Sequence, residues 1–110
     1  HRLGWFEAAI DSYQLALGVA PNFVEAHNNL GLALQDKGDL DAAIKAYKKA
    51  LQIDGDYVEA HNNLGNALVE KGNLLQVVAS YRRALQIRPD FAEAHSHLAH
   101  AQNIMAQCSI

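Results

Sequence analysis

Six histidines, one cysteine and a recurring pair of asparagines are the residues of this 110-residue chain whose types could do chemistry. Metal binding comes first, because neutral imidazole is a common ligand for zinc and related ions. His27, His61 and His95 recur at a fixed offset of 34 residues. A regular array spreads such residues along its axis, roughly 10 Å apart by helix-packing distances, so they do not converge on one ion. His95, His97 and His100 fall within one helical stretch, and only His97 and His100 share a face. With Glu93 as the nearby carboxylate, that pair makes a poor site. Packing or surface roles account for the histidines, and neither metal nor cofactor is expected.

Catalysis fits less well. Cys108 stands beyond the last recognisable repeat element, and Ser12, Ser80, Ser96 and Ser109 show no spacing that pairs a nucleophile with a base. No Gly-rich loop of the kind that cradles phosphates is present. No catalytic residue is therefore expected.

The polar residues of three related segments say more. They run Glu25, Asn28, Asn29 and Leu32, then Glu59, Asn62, Asn63 and Asn66, then Glu93, Ser96, His97 and His100. An amide both donates and accepts, so a row of amides suits the backbone of an extended peptide without dictating its sequence. Asn is also a mediocre helix former, and Asn29 and Asn63 sit mid-helix with no capping role to explain them. The glutamates have two readings. Asn22/Glu25, Asp56/Glu59 and Asp90/Glu93 have the spacing of a cap and its third residue, which favours helix N-termini over ligand contact.

The elements that position these residues come from an internal repeat. Val24–Gly31 and Val58–Gly65 both read VEAHNNLG, and Glu93–Ala99 reads EAHSHLA at the same offset. Residues 24–57 and 58–91 agree at 19 of 34 positions, which marks two copies of one unit. Within each unit apolar and small residues recur at three- and four-residue steps, the mark of amphipathic helices. Leu30, Leu64, Tyr47 and Tyr81 fall on the stripes that become core. Gly38 and Gly72 offer the left-handed turn that stops a helix. Asp39 and Asn73 stand where the next helix needs a cap, and Asn73 with Gln76 has capping-box spacing. Small Gly31, Ala43, Gly65 and Ala84 let helices approach closely. The pattern predicts helices near 5–18, 22–36, 39–53, 56–70, 73–87 and 90–106, with no clear continuation after Asn103.

The spacing resembles the tetratricopeptide repeat, a 34-residue helix-turn-helix with the pattern Trp-x2-Leu-Gly-x2-Tyr, then Ala-x3-Phe, then Pro. The chain offers His27-x2-Leu30-Gly31-x2-Leu34, Ala43-x3-Tyr47 and Gly55, then His61-x2-Leu64-Gly65-x2-Leu68, Val77-x3-Tyr81 and Pro89. Ala9-x3-Tyr13 with Pro21 matches a second half-repeat, and His95-x2-Leu98-Ala99 a first half. The departures are His for Trp three times, Val77 for a small residue and Gly55 for Pro. The resemblance implies an all-α, right-handed solenoid of antiparallel helix pairs, with a concave face built from the first helix of each unit. It divides the chain into a half-unit at 1–23, full units at 24–57 and 58–91, and a half-unit with tail at 92–110.

Within that family the string EAHNNLG is similar to repeats of O-GlcNAc transferases, where an asparagine ladder lines the concave face beside acidic residues. Carried over, the ladder is Asn29 and Asn63, the acidic side is Glu25, Glu59 and Glu93, and His97 breaks the ladder. Members that bind acidic chaperone tails use a clamp of lysines and arginines. The corresponding positions here hold Asn28, Asn63, Glu93 and His97, so that partner is not expected. Two functions are implied: a non-catalytic module binding an extended peptide or partner protein in its groove, or the substrate-presenting arm of a larger glycosyltransferase-like enzyme.

Charge and hydropathy narrow the partners. A net charge of −3 disfavours nucleic-acid binding by phosphate neutralisation. No apolar run approaches the ~18 residues of a membrane span. A lone cysteine excludes an internal disulfide framework and fits a reducing compartment. With no targeting signal in sight, a cytoplasmic setting is expected. His1 in place of Met and the half-units at both ends suggest a piece of a longer protein. Lys45, Lys48, Lys49, Arg82, Arg83 and Arg88 read as a solvated convex face, with a secondary site for an acidic partner as the lesser reading. End helices without partners are expected to uncover a face with Trp5, Phe6, Ile10, Tyr13 and Leu17 at one end and Leu98, Ala101, Ile104 and Met105 at the other. Such patches favour self-association, with the tail at 104–110 filling a neighbour's groove.

Overall fold

The computed structural model describes residues 2–108, with side-chain surroundings for 4–107. Six helices run in order: α1 (Arg2–Val19), α2 (Val24–Lys37), α3 (Leu40–Ile53), α4 (Val58–Lys71), α5 (Leu74–Ile87) and α6 (Ala92–Cys108). No strand occurs among the described residues, and the architecture is an all-α helical repeat. The helix α6 runs on through Cys108, past the expected end, while Ser109 and Ile110 lie outside the described residues.

Each corner between paired helices is made by one glycine. Gly38 has φ 99° and Gly72 φ 85°, a left-handed conformation that glycine adopts without a Cβ penalty. The Gly38 N–H donates to the Gln35 carbonyl at 3.0 Å, and Asp39 N–H to Leu34 at 2.9 Å. Gly72 and Asn73 repeat this on Val69 and Leu68. The orphan carbonyls of the first helix are thereby satisfied. Asp39 then opens α3, its Oδ1 accepting from Ala42 N–H at 3.3 Å. Asn73 occupies the same place before α5, but its side chain makes no cap bond.

The turns between repeats correct the expected caps. The residues preceding α2 and α4 are Phe23 and Tyr57, in extended conformation and without a side-chain cap bond. Asn22 and Asp56 lie one residue too early. Asp56 is used differently: its N–H donates to Asp54 Oδ1 at 3.0 Å, and its carboxylate pairs with Arg83 at 3.3 Å. Glu25, Glu59 and Glu93 remain in first turns, where the helix dipole favours them.

Ala43, Tyr47, Leu64, Leu68, Val77 and Tyr81 build the main core. The bulkier Val77 is fully buried there. Leu64, Tyr47 and Tyr81 are buried as expected, whereas Leu30 is half-exposed. The ring of Tyr47 takes the space a side chain at Gly31 would fill, and Tyr81 does so at Gly65. On α1 the inward stripe is Phe6, Ile10, Tyr13 and Leu17, with Ile10 buried. Trp5 does not join it and is 70% exposed, and Leu15 and Val19 also face outward. On α6, Ala101 is buried and Leu98, Ile104 and Met105 are half-buried.

Consecutive helices pack pairwise. Beyond that, α2 touches α4 and α4 touches α6, while α1, α3 and α5 do not touch one another among the described residues. The first helices of the units thus form a continuous inner wall and the second helices fan out behind it. The result is an elongated slab of 47 × 31 × 19 Å.

Candidate functional site

Three helices share the inner wall, and the polar residues singled out in the sequence lie along them. At about 100° per residue, positions 25, 28, 29 and 32 gather on one side of α2, and their counterparts do so on α4 and α6. They do not play equal parts. Asn28 and Asn62 are buried, Asn29, Asn63, Asn66, Glu59 and His97 are half-exposed, and Glu25, Leu32, Glu93, Ser96 and His100 are exposed.

Lateral hydrogen bonds set those differences. Asn63 Nδ2 donates to Asn28 Oδ1 at 3.0 Å, joining α4 to α2. One repeat on, the ring nitrogen Nδ1 of His97 lies 3.1 Å from Asn62 Oδ1. An amide oxygen only accepts, so Nδ1 carries the proton. Asn62 Nδ2 completes the link by donating to Glu93 Oε2 at 3.4 Å. His97 therefore occupies the rung that Asn63 occupies before it, rather than interrupting the row. Asn29 has no side-chain partner among the described residues.

Two tyrosines close the wall from behind with different acceptors. Tyr47 donates its hydroxyl to Gln35 Oε1 at 2.8 Å, and Tyr81 donates to Asn66 Oδ1 at 2.5 Å. The acceptor has moved by one helical turn: Leu32 and Gln35 in the first unit become Asn66 and Val69 in the second. Burial pushes the Tyr81 hydroxyl up to about 12. Burial likewise raises Tyr47, with the carboxylates of Asp36 and Glu70 adding to it. The imidazole of His97 lies over Tyr81, with ring centres 5.5 Å apart. Asn66, Val69, Glu70, Tyr81, His97 and His100 enclose a cleft of about 180 Å³ at this point.

Three further histidines, His27, His61 and His95, have a role that sequence reasoning did not identify. His27 Nε2 lies 2.8 Å from the Pro21 carbonyl, His61 Nε2 2.8 Å from Gly55 and His95 Nε2 2.6 Å from Pro89. Each clasps the turn that precedes its helix, with Nε2 as donor. The six-residue separation from the turn was the available signal. Among the described residues no three His, Cys, Asp or Glu side chains converge as a metal site would require.

Charge on the inner wall is acidic. Glu70 accepts from Gln35 Nε2 at 3.2 Å, and Arg88 reaches Glu59 at 3.7 Å while its guanidinium stacks 5.3 Å from the Phe91 ring. Elsewhere Lys37 pairs with Glu7 at 2.6 Å, and Lys71 with Asp41. No described helix is long and apolar enough to cross a membrane.

Comparison with known proteins gives these observations a setting. The family model for the TPR repeat matches residues 1–38, 33–72 and 65–103. No curated protein sequence matches the chain. Among solved structures it is similar to the first TPR of Spaghetti (RPAP3) bound to an HSP90 peptide, at 22% identity and TM-score 0.90, covering 94% of this chain and 82% of that one. That identity speaks to fold alone. It is similar to MamA at 29% identity and TM-score 0.86, over 94% of this chain and 60% of the other. A mutant O-GlcNAc transferase of Thermobaculum terrenum matches at 34% identity and TM-score 0.83, over 91% of this chain. The chain spans 19% of that transferase and less than two thirds of MamA.

Proposed function

The chain belongs to the tetratricopeptide repeat family, and we propose that it is a non-catalytic protein-binding module taking an extended polypeptide along the wall of α2, α4 and α6. The observation that carries this reading is the laterally bonded row ending in the cleft between Asn66 and His97. Cross-linking Asn28 to Asn63 and Asn62 to His97 holds the row in register. Asn63 keeps its Oδ1 and one N–H, and Asn66 keeps its Nδ2, so backbone amides of a ligand meet both donors and acceptors. Asn29 offers a whole side-chain amide. Leu32 adds an apolar contact beside it.

The carboxylates of Glu25, Glu70 and Glu93 select among peptides. Arg88, the basic side chain that reaches Glu59, is engaged there and with Asp90 at 3.8 Å. A peptide with lysine or arginine side chains complements this wall, and an acidic one is repelled. Fluorescence anisotropy with an extended lysine-containing peptide tests the reading, with the acidic peptide SRMEEVD as the contrast. Binding of the basic peptide that exchanging Asn29 and Asn63 for Ala weakens supports it. Preference for SRMEEVD would overturn the charge assignment.

A second reading has its own support in the 34% identity to the Thermobaculum terrenum transferase. On that reading the same groove presents a polypeptide to a glycosyltransferase domain elsewhere in the parent protein. The two readings share the groove and differ in whether a catalytic domain accompanies the repeats in the parent sequence.

A further inference from the structure

We propose that the crevice between α2 and α3, on the outer side of the slab, is a second docking site for an acidic amphipathic helical segment of a partner protein. Positions 27, 30 and 34 lie on the far side of α2 from Asn28 and Leu32, at about 100° of rotation per residue. With residues of α3 they line a groove of about 610 Å³. That volume is in the range of built ligand sites, roughly 300–1,000 Å³.

The floor of the groove is apolar. Leu30, Leu34 and Ile44 form it, and the two leucines remain half-exposed. Their counterparts one repeat on, Leu64 and Leu68, are buried at 7% and 3%. The first repeat thus keeps open an apolar strip that the second has closed.

The wall is cationic. Lys45, Lys48 and Lys49 stand on one face of α3, all exposed, and none forms an ion pair among the described residues. Asp41, the carboxylate of the lining, is taken by Lys71. Three ammonium groups within about 6 Å of helix rise, above leucine side chains, call for carboxylates on one turn beside an apolar stripe. A helix laid between two helices supplies both at once. The convex lysines therefore have a ligand chemistry opposite in sign to that of the inner wall, so the two sites do not compete for one peptide.

The test uses a fluorescein-labelled amphipathic peptide of about 15 residues, with leucines on one face and glutamates flanking it. Wild-type chain, Lys45→Glu/Lys48→Glu, Arg82→Glu and Asn29→Ala are compared by anisotropy, with melting curves to confirm folding. The substituted lysines are exposed, so the variant is expected to keep its fold. The double reversal is expected to weaken binding by about ten-fold or more, and Arg82→Glu and Asn29→Ala by less than about two-fold. Amide shift changes confined to α2 and α3 add support. Equal binding of the double reversal, an equal loss with Arg82→Glu, or equal binding of a scrambled peptide of the same charge would overturn the proposal. So would lysine-dependent binding to phosphatidylserine vesicles without binding of the peptide.

Discussion

The ring of Tyr81 rests on Gly65 so closely that a β-carbon there would stand 2.5 Å from its Cε1. Tyr81 is almost wholly buried and its hydroxyl is held by Asn66, so the ring has no room to withdraw. Gly65→Ala is expected to lower stability by about 1–3 kcal/mol, although Ala gains roughly 1 kcal/mol in helix propensity. Gly18→Ala, with open space around it, is the contrast and should be neutral or stabilising. Chemical denaturation of both variants checks the pair.

Leu64 is buried in the main core. Its replacement by Ala is expected to cost about 2–5 kcal/mol, since neighbouring helices cannot collapse into the gap. A loss near zero in urea melts would show that the core runs elsewhere.

The histidine clasps predict a smaller effect. His61→Phe retains a ring but removes the bond to the Gly55 carbonyl. A loss of about 0.5–1.5 kcal/mol is expected, the net value of one such bond. Faster amide exchange around residues 54–58 should accompany it.

Alkaline stability depends on the tyrosines. The folded-state value for Tyr81 is about 12, above the ordinary 10, because burial disfavours the phenolate. The native state therefore keeps a proton that the unfolded chain releases, and this contribution to stability is fully present below about pH 10 and is lost between about 10 and 12. Tyr47 is raised in the same direction. Melting temperatures measured across that window should decline, with a slope that Tyr81→Phe reduces.

Asn29 and Asn63 separate ligand binding from structure. Asn63→Ala orphans the buried Asn28 oxygen and is expected to lower the melting temperature as well as peptide affinity. Asn29→Ala, with no partner to orphan, is expected to reduce affinity alone. Together the two should weaken a bound peptide by about five- to a hundred-fold, at roughly 0.5–1.5 kcal/mol per bond. Affinity that stays unchanged in both variants would place the ligand elsewhere.

The repeat was legible because its marks are local: Gly38 and Gly72 punctuate, and apolar steps of three and four define the stripes. The starts of α2 and α4 fall within two residues of expectation, but the caps differ: Asn22 and Asp56 have cap-like chemistry, while the chain enters α2 and α4 through Phe23 and Tyr57. The inner wall was legible as a set of positions but not as bonds. Nothing local tells that Asn28 is buried and Asn29 is not, since both are asparagines one residue apart. Only the arrival of Asn63 from the next helix distinguishes them. The clasps of His27, His61 and His95 leave a fainter trace, a constant six-residue spacing back to the turn, because each acceptor is a backbone carbonyl rather than a side chain.

The contact of α2 with α4 and of α4 with α6, against the separation of α1, α3 and α5, gives the slab two mechanical edges. The inner edge is a seam tied by side-chain bonds, and the outer edge is a row of unlinked struts. Bending therefore pivots about the seam and spreads or gathers the struts, so curvature is the soft coordinate of this molecule. A polypeptide gripped along the seam would stiffen the very line about which the array flexes.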